Sequence, residues 1–370
     1  MKSANPQFGL VLTGGGAKGA YQAGALRYLA EIGLEPHIIA GTSIGALNGA
    51  ILASHGSFKL GVRRVNELWE QLGTAPILRP NTGAVLHTLS YVSQTFVPTL
   101  REWVLDFLVS ERLLKDHTAI FDPAPIEQLL RESVNPTALR SGIELWVTVF
   151  PSLKIPGLGY DWLIDFVRAK TGTDAHWLCV QDFADEDTLY NLLLASAALP
   201  LAFPSREVNG KSYVDGGLAD NVPLRALAAR GCTHAIIIHL QNGAVWSPTG
   251  KRSTTLVPKG ETSFRTGSPT AGFPEAAPNH RHNFPEPTII EIRPEQPINT
   301  SDTPLIGLVD SWLNFSAERI AELKQRGYED ASSCLEPIIL SSRTVREQRQ
   351  VQNSIVDSTT LLLKNIDKKY

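Results

Sequence analysis

The sequence predicts an α/β fold of three layers, α/β/α, with a largely parallel central sheet. Three observations in the first 54 residues carry that expectation. Two short apolar runs, Phe8 to Leu12 and Ile38 to Ala40, have the length and composition of buried strands. Each breaks into a glycine-rich turn, and each turn leads into a helix-compatible segment. Strands that alternate with helices in this way align in parallel and are covered on both faces.

The first strand runs into Thr13-Gly14-Gly15-Gly16-Ala17-Lys18-Gly19. Tyr21, Ala25, Leu26, Leu29 and Ile32 then follow at helical spacing, with Gly33 placed to close the helix. The second strand enters Gly41-Thr42-Ser43-Ile44-Gly45, a G-x-S-x-G pattern, and a helix spans Ile44 to about Ser54. Strand, tight turn and helix are the context of a nucleophile elbow, which stands a serine hydroxyl at a helix N-terminus. The motif alone reads equally well as a glycine-bracketed serine in an ordinary βα turn.

The glycine loop admits three readings. Gly14, Gly16 and Gly19 match a dinucleotide fingerprint, but the acidic residue that should close the second strand is replaced by the elbow. A phosphate-binding P-loop fails because Lys18 is followed by glycine. An oxyanion hole built from the N–H groups of Gly14, Gly15 and Gly16 fits the neighbouring serine.

Residues 61–134 read as helical and amphipathic, with Leu100, Trp103, Val104, Phe107 and Leu108 on one stripe and Asp122-Pro123 opening a further helix. Strands are expected at Ile143 to Phe150 and Trp177 to Val180. Residues 151–176 between them form an insertion too long for a hairpin. One short helix within it sets Trp162, Leu163, Phe166 and Val167 against Asp161, Asp165 and Arg168. Leu189 to Leu199 is an apolar helix. Ser212 to Val214 is a strand ending in Asp215-Gly216-Gly217, followed by a helix from Leu224 to Arg230 and a buried strand from His234 to Leu240.

Gln241 to Pro287 holds seven Pro, five Gly and ten Ser or Thr in 47 residues. Too little of that can be buried to offset chain entropy, which makes it a flexible insertion. A strand resumes at Thr288 to Ile292, then a helix from Thr303 that Gly327 is expected to stop. Beyond Glu336 the chain is a polar tail in which Arg343, Arg346 and Arg349 share a face.

Composition narrows the function. A net charge of −3 leaves no basic footprint for nucleic acid. Three cysteines, Cys179, Cys232 and Cys334, lack metal-ligand spacing and read as free thiols of a reducing compartment. Neither a secretory leader nor an apolar run of 18 residues is visible, so the expected location is the cytoplasm, with any membrane contact peripheral.

Ser43 needs a base. Asp215 closes a strand before two glycines, although Asp-Gly also suits a plain Asx turn. A Ser-acid-His triad would instead recruit His234 or His239, which follow Asp215 in the required order.

Four motifs in this order resemble the patatin-like phospholipase family: Gly14-Gly15-Gly16-Ala17-Lys18-Gly19, Gly41-Thr42-Ser43-Ile44-Gly45, Ala195-Ser196-Ala197-Ala198-Leu199-Pro200 with Phe203-Pro204, and Asp215-Gly216-Gly217. The resemblance covers about residues 7 to 240 and more faintly 288 to 331. It implies a Ser–Asp dyad that cleaves acyl esters of lipids without histidine, metal or cofactor. Ser43 would be the nucleophile, Asp215 the base, Gly14 to Gly16 the oxyanion hole and Lys18 the loop's basic residue, with Gly41, Gly45, Gly216 and Gly217 in support. The implied substrate is a phospholipid or lysophospholipid met at a membrane surface. Residues 1–335 would be one acyl hydrolase domain, with 151–176 a candidate lid and 336–370 a tail. Two alternatives stand beside it: a nucleotide-binding α/β protein, and a lipid-binding protein without catalysis.

Overall fold

The computed structural model describes residues 8–74, 123–153, 171–200, 202–241, 287–298 and 314–367, together with 82–83, 115–116, 165, 168 and 169. Strand β1 (Phe8–Leu12) lies parallel to β2 (Ile38–Thr42), with Gly9 opposite Ile38 and Leu12 opposite Gly41. Helix α1 (Gly19–Glu31) joins them. It closes at Gly33, whose φ of +75° turns the chain so that the Leu34 N–H reaches the Leu29 carbonyl at 3.0 Å. After β2 come α2 (Ile44–Ala53) and α3 (Phe58–Thr74).

The helical stretch expected over 61–134 is interrupted. Helix α3 ends at Thr74, and the short strands β3 (Thr82–Gly83) and β4 (Lys115–Asp116) pair with each other. The stripe from Leu100 to Leu108 lies outside the described residues. Helices α4 (Ala124–Ser133) and α5 (Pro136–Ser141) lead into β5 (Glu144–Pro151), and then come β6 (His176–Cys179) and α6 (Glu186–Ser196). The chain continues through β7 (Arg206–Val208), β8 (Lys211–Asp215), α7 (Leu224–Ala229), β9 (His234–Ile238), β10 (Thr288–Ile292) and α8 (Ala317–Asp367).

The strands form one sheet in the order β10-β9-β1-β2-β5-β8-β7, with β6 also on β5. The five from β10 to β5 are mutually parallel, whereas β6, β7 and β8 run antiparallel to their neighbours. Side chains alternate across the sheet. Leu10, Leu12 and Ile39 pack toward α1, α2 and α3, while Val11, Ile38 and Ala40 pack toward Leu224, Ala226 and Leu227 of α7. The result is the three-layer α/β/α arrangement.

Two expectations change here. Gly327 does not stop the last helix, because it lies inside α8, where a Cβ would meet the Tyr21 carbonyl oxygen at 2.0 Å. It is a close-approach glycine, and α8 runs on past residue 335 without a break. Side chains from 336 to 357 are exposed apart from half-buried Ile339, and Arg343, Arg346 and Arg349 are among the exposed ones. Asp165, expected on the polar face of its short helix, is fully buried. Its carboxylate accepts the Leu153 N–H at 3.0 Å and the Ser152 hydroxyl, and it pairs with Arg168 at 3.3 Å. It ties the start of the insertion to its own helix. Trp162, Leu163, Phe166 and Val167 lie outside the described residues, as does nearly all of 241–287. The three cysteines are free thiols, and among the described residues no helix is long and apolar enough to cross a membrane.

Candidate active site

The elbow forms because only glycine fits around it. A Cβ at Gly45 would stand 2.2 Å from the Leu12 carbonyl oxygen, and one at Gly41 would stand 2.6 Å from the Gly45 carbonyl oxygen. Strand β2 and helix α2 therefore pack backbone to backbone, and the chain between them must turn within one residue. That residue is Ser43, held at φ +56° and ψ −127°, a conformation that side chains rarely adopt. Ser196 holds it there. The fully buried Ser196 hydroxyl accepts the Ser43 N–H at 3.0 Å and donates to the Thr148 carbonyl at 2.7 Å. Without it, a strained peptide would carry a buried, unpaired N–H.

Register brings Asp215 to the same place. Thr42, the last residue of β2, faces Thr148 of β5, and the next residue of β5, Val149, faces Asp215 at the end of β8. Serine and acid thus meet at one level of a shared strand, although 171 residues separate Ser43 from Asp215. Gly216 allows the close fit, since a Cβ there would lie 2.5 Å from the Thr148 carbonyl.

The Asp215 carboxylate is 2% exposed. Its Oδ1 accepts the Gly217 N–H at 2.8 Å, while its buried Oδ2 has no well-formed partner. Burial pushes the carboxyl up to about 6, against the opposing pull of the Ser43 hydroxyl and the Gly217 N–H. The Ser43 hydroxyl is near enough to exert that pull, although Oδ2 has no hydrogen-bond partner.

The glycine loop borders the serine. A Cβ at Gly14 would stand 2.9 Å from the Ser43 Cβ. The Gly14 N–H is already engaged by Asn221 Oδ1 at 2.8 Å, whereas among the described residues the N–H groups of Gly15 and Gly16 meet no acceptor. Lys18 is buried, and burial, followed by the charge of Arg319, brings its amine down to about 8. Beneath the loop runs a chain of side-chain amides. Gln22 donates to the Thr13 carbonyl at 2.7 Å, Asn48 to Gln22 at 2.9 Å, and the Trp69 ring N–H to Asn48 at 3.0 Å. His239 is committed elsewhere, its ring lying 3.2 Å from Glu291 of the neighbouring strand.

The structure thus brings together Ser43, Asp215, the glycine loop and the supporting glycines at 41, 45, 216 and 217. It adds Ser196, Asn221, Asn48 and Gln22, to which sequence reasoning gave no role. Ser196 stood within one of the four motifs without a role of its own, and Asn48 carried a signal as the single polar residue in the otherwise apolar run from Ala46 to Ala53.

The family model for patatin-like phospholipases matches residues 10–228. The chain belongs to the patatin-like phospholipase family. Ser43, Asp215, the glycine loop and Gln22, Asn48, Ser196 and Asn221 fall within that match, whereas His239 and Glu291 lie beyond it. Lysophospholipase NTE1 of Saccharomyces cerevisiae is 26% identical over 234 residues, covering 60% of this chain and 10% of that protein. Patatin-like phospholipase domain-containing protein 7 of Rattus norvegicus is 57% identical over 49 residues, which is 13% of this chain and 4% of that one. The chain therefore spans a tenth or less of the length of these curated relatives. Among solved structures, VipD from Legionella pneumophila is similar at 16% identity and a TM-score of 0.43, covering 90% of this chain and 68% of that one. Human GIVD cytosolic phospholipase A2 is similar at 11% identity and a TM-score of 0.39, covering 90% and 59%.

Proposed function

We propose that this protein is a lipid acyl hydrolase, of phospholipase A or lysophospholipase type, working through Ser43 and Asp215. The observation that carries the reading is the strained Ser43 placed beside a buried carboxylate whose Oδ2 has no hydrogen-bond partner. The names of the curated relatives agree with it. Asp215 takes the Ser43 proton as the hydroxyl oxygen attacks the ester carbonyl. The N–H groups of Gly15 and Gly16 receive the oxyanion, and as the tetrahedral intermediate collapses Asp215 passes that proton to the leaving oxygen, so the alcohol departs and an acyl-serine remains. Asp215 then deprotonates the water that attacks the acyl carbonyl, and collapse of the second intermediate returns that proton to Ser43 Oγ and releases the fatty acid. General-base help contributes about 10²–10⁴-fold, and each oxyanion donor about 3–4 kcal/mol.

An alkyl fluorophosphonate tests this directly. It is expected to label the protein once, on the peptide holding Ser43, and to leave Ser43→Ala unlabelled. Dinucleotide binding at micromolar affinity without labelling or ester cleavage would establish the nucleotide reading instead.

The substrate class also implies an interface. Strand β5 leaves the sheet at the end where the elbow stands, and β6 re-enters from that end, so both ends of the 151–176 insertion border the site. The proposal is that Trp162, Leu163, Phe166 and Val167 meet the lipid surface, where a tryptophan suits the headgroup level. The paired change Trp162→Ser/Phe166→Ser should spare cleavage of a soluble short-chain ester and abolish cleavage of vesicle lipid. Equal loss on both substrates, with lowered stability, would make these residues core.

A further inference from the structure

Asn221 lies six residues after Asp215, on the turn beyond β8, and its side chain crosses to the glycine loop 207 residues earlier. Its Oδ1 accepts the Gly14 N–H at 2.8 Å, and its Nδ2 donates to the Gly14 carbonyl at 3.3 Å. One side-chain amide thus grips one residue's backbone from both sides. The same Oδ1 would stand 2.6 Å from a Cβ at Gly14 and 3.5 Å from one at Gly217, which puts it between the loop and the acid turn.

The turn that presents Asn221 is independently fixed. Asp220 accepts the Trp177 ring N–H at 2.8 Å and the Val222 N–H at 3.0 Å, and its carbonyl lies 3.3 Å from the Thr42 hydroxyl. Asn221 therefore acts from an anchored position on a loop whose glycines would otherwise leave it pliable.

The consequence follows from peptide geometry. In a planar trans peptide the N–H points opposite to the C=O. The Gly14 carbonyl shares its peptide with the Gly15 N–H, so drawing that carbonyl toward Asn221 aims the Gly15 N–H away from it. We infer that Asn221 is a positioning residue for acyl transfer, holding the first open oxyanion donor in place beside Ser43. The inference rests on the reading of the glycine loop as the oxyanion site. It requires both halves of the amide, one to accept and one to donate. Asn221→Asp keeps the shape, loses the donor and sets a carboxylate against the Gly14 carbonyl.

Asn221→Asp and Asn221→Ala are compared with wild type on a soluble p-nitrophenyl short-chain ester, and deuterium uptake is followed across residues 13–19. A donor displaced by about an ångström costs on the order of 10²-fold in rate. Both variants should therefore lose about 10–10²-fold in kcat, with KM within about twofold because oxyanion contacts strengthen only in the transition state. Exchange across the loop should quicken. If Asn221→Ala does not fold, the near-isosteric Asn221→Asp carries the comparison. Unchanged kcat, a loss confined to KM, or unchanged exchange over 13–19 would overturn the inference. A wild-type protein that cleaves no ester would defeat the acyl-hydrolase reading and this inference with it, and that blank separates the two failures.

Discussion

Asp215→Asn should slow ester hydrolysis about 10²–10⁴-fold while making the protein more stable at pH 8. Both effects come from one buried group. The Asp215 carboxyl is pushed from its ordinary 3.8 up to about 6 by burial. A carboxyl raised on folding keeps its proton in the folded state after the unfolded chain has released it. Between about pH 4 and 6 the folded state therefore holds more protons, and stability falls as pH rises. Above pH 6 the charged form is buried in full, at a cost of about 3 kcal/mol for that gap. A neutral amide escapes this cost, and its new N–H group has the Ser43 oxygen as an acceptor. Denaturant titrations at pH 4 and pH 8 should show the variant gaining only at the higher pH. In wild type, kcat/KM should fall on acidification with an apparent value near 6. A variant that keeps its activity would remove Asp215 from the role of base, and loss on His239→Ala would then point to a triad; an acidic limb near 4 would mean instead that burial does not raise the Asp215 carboxyl.

The elbow was legible because its physics leaves letters behind. A turn made within one residue between packed backbones demands glycine at 41 and 45, and a nucleophile demands serine between them. The approach of Asp215 left no such trace. It depends on β8 pairing antiparallel with β5 so that Asp215 faces Val149, and a strand's own sequence does not name the distant strand it will pair with. Ser196 was hidden for a related reason. In an apolar helix a serine reads as an interruption, and its use appears only when the Ser43 N–H and the Thr148 carbonyl are both in place. Glycine itself is ambiguous. Gly33 ends a helix through a positive φ, while Gly327 sits in mid-helix because another backbone lies against it. Asp165 shows the limit of a helical wheel, which placed it on the polar side, whereas its burial is repaid by the Ser152 hydroxyl and the Leu153 N–H.

Gly327→Ala should destabilise the protein by about 3 kcal/mol, reversing the usual sign. In an open helix interior, replacing glycine by alanine gains about 0.5–1 kcal/mol, because alanine loses less chain entropy on folding. At the crossing of α1 and α8 there is no room for that gain. A Cβ at Gly327 would meet the Tyr21 carbonyl oxygen at 2.0 Å, and one at Gly24 would meet the Lys324 carbonyl oxygen at 1.8 Å. Both obstacles are backbone, so no rotamer change relieves them and the helices must separate. Separation would pull apart the Tyr21 hydroxyl and Asp330, at 2.8 Å, and the edge-to-face rings of Tyr28 and Tyr328, 5.4 Å apart, and would loosen buried Ile320, Leu323, Ala331 and Leu335. Gly24→Ala should match it. Gly56→Ala, where a Cβ would meet nothing within 4 Å, is the control and should stay within about 0.5 kcal/mol. Denaturant midpoints of the three variants decide the matter. A gain at Gly327 would mean that α8 does not pack on α1 in solution. Because α1 begins at Gly19, directly after the glycine loop, the two crossing variants should also lose ester turnover under conditions in which they remain folded.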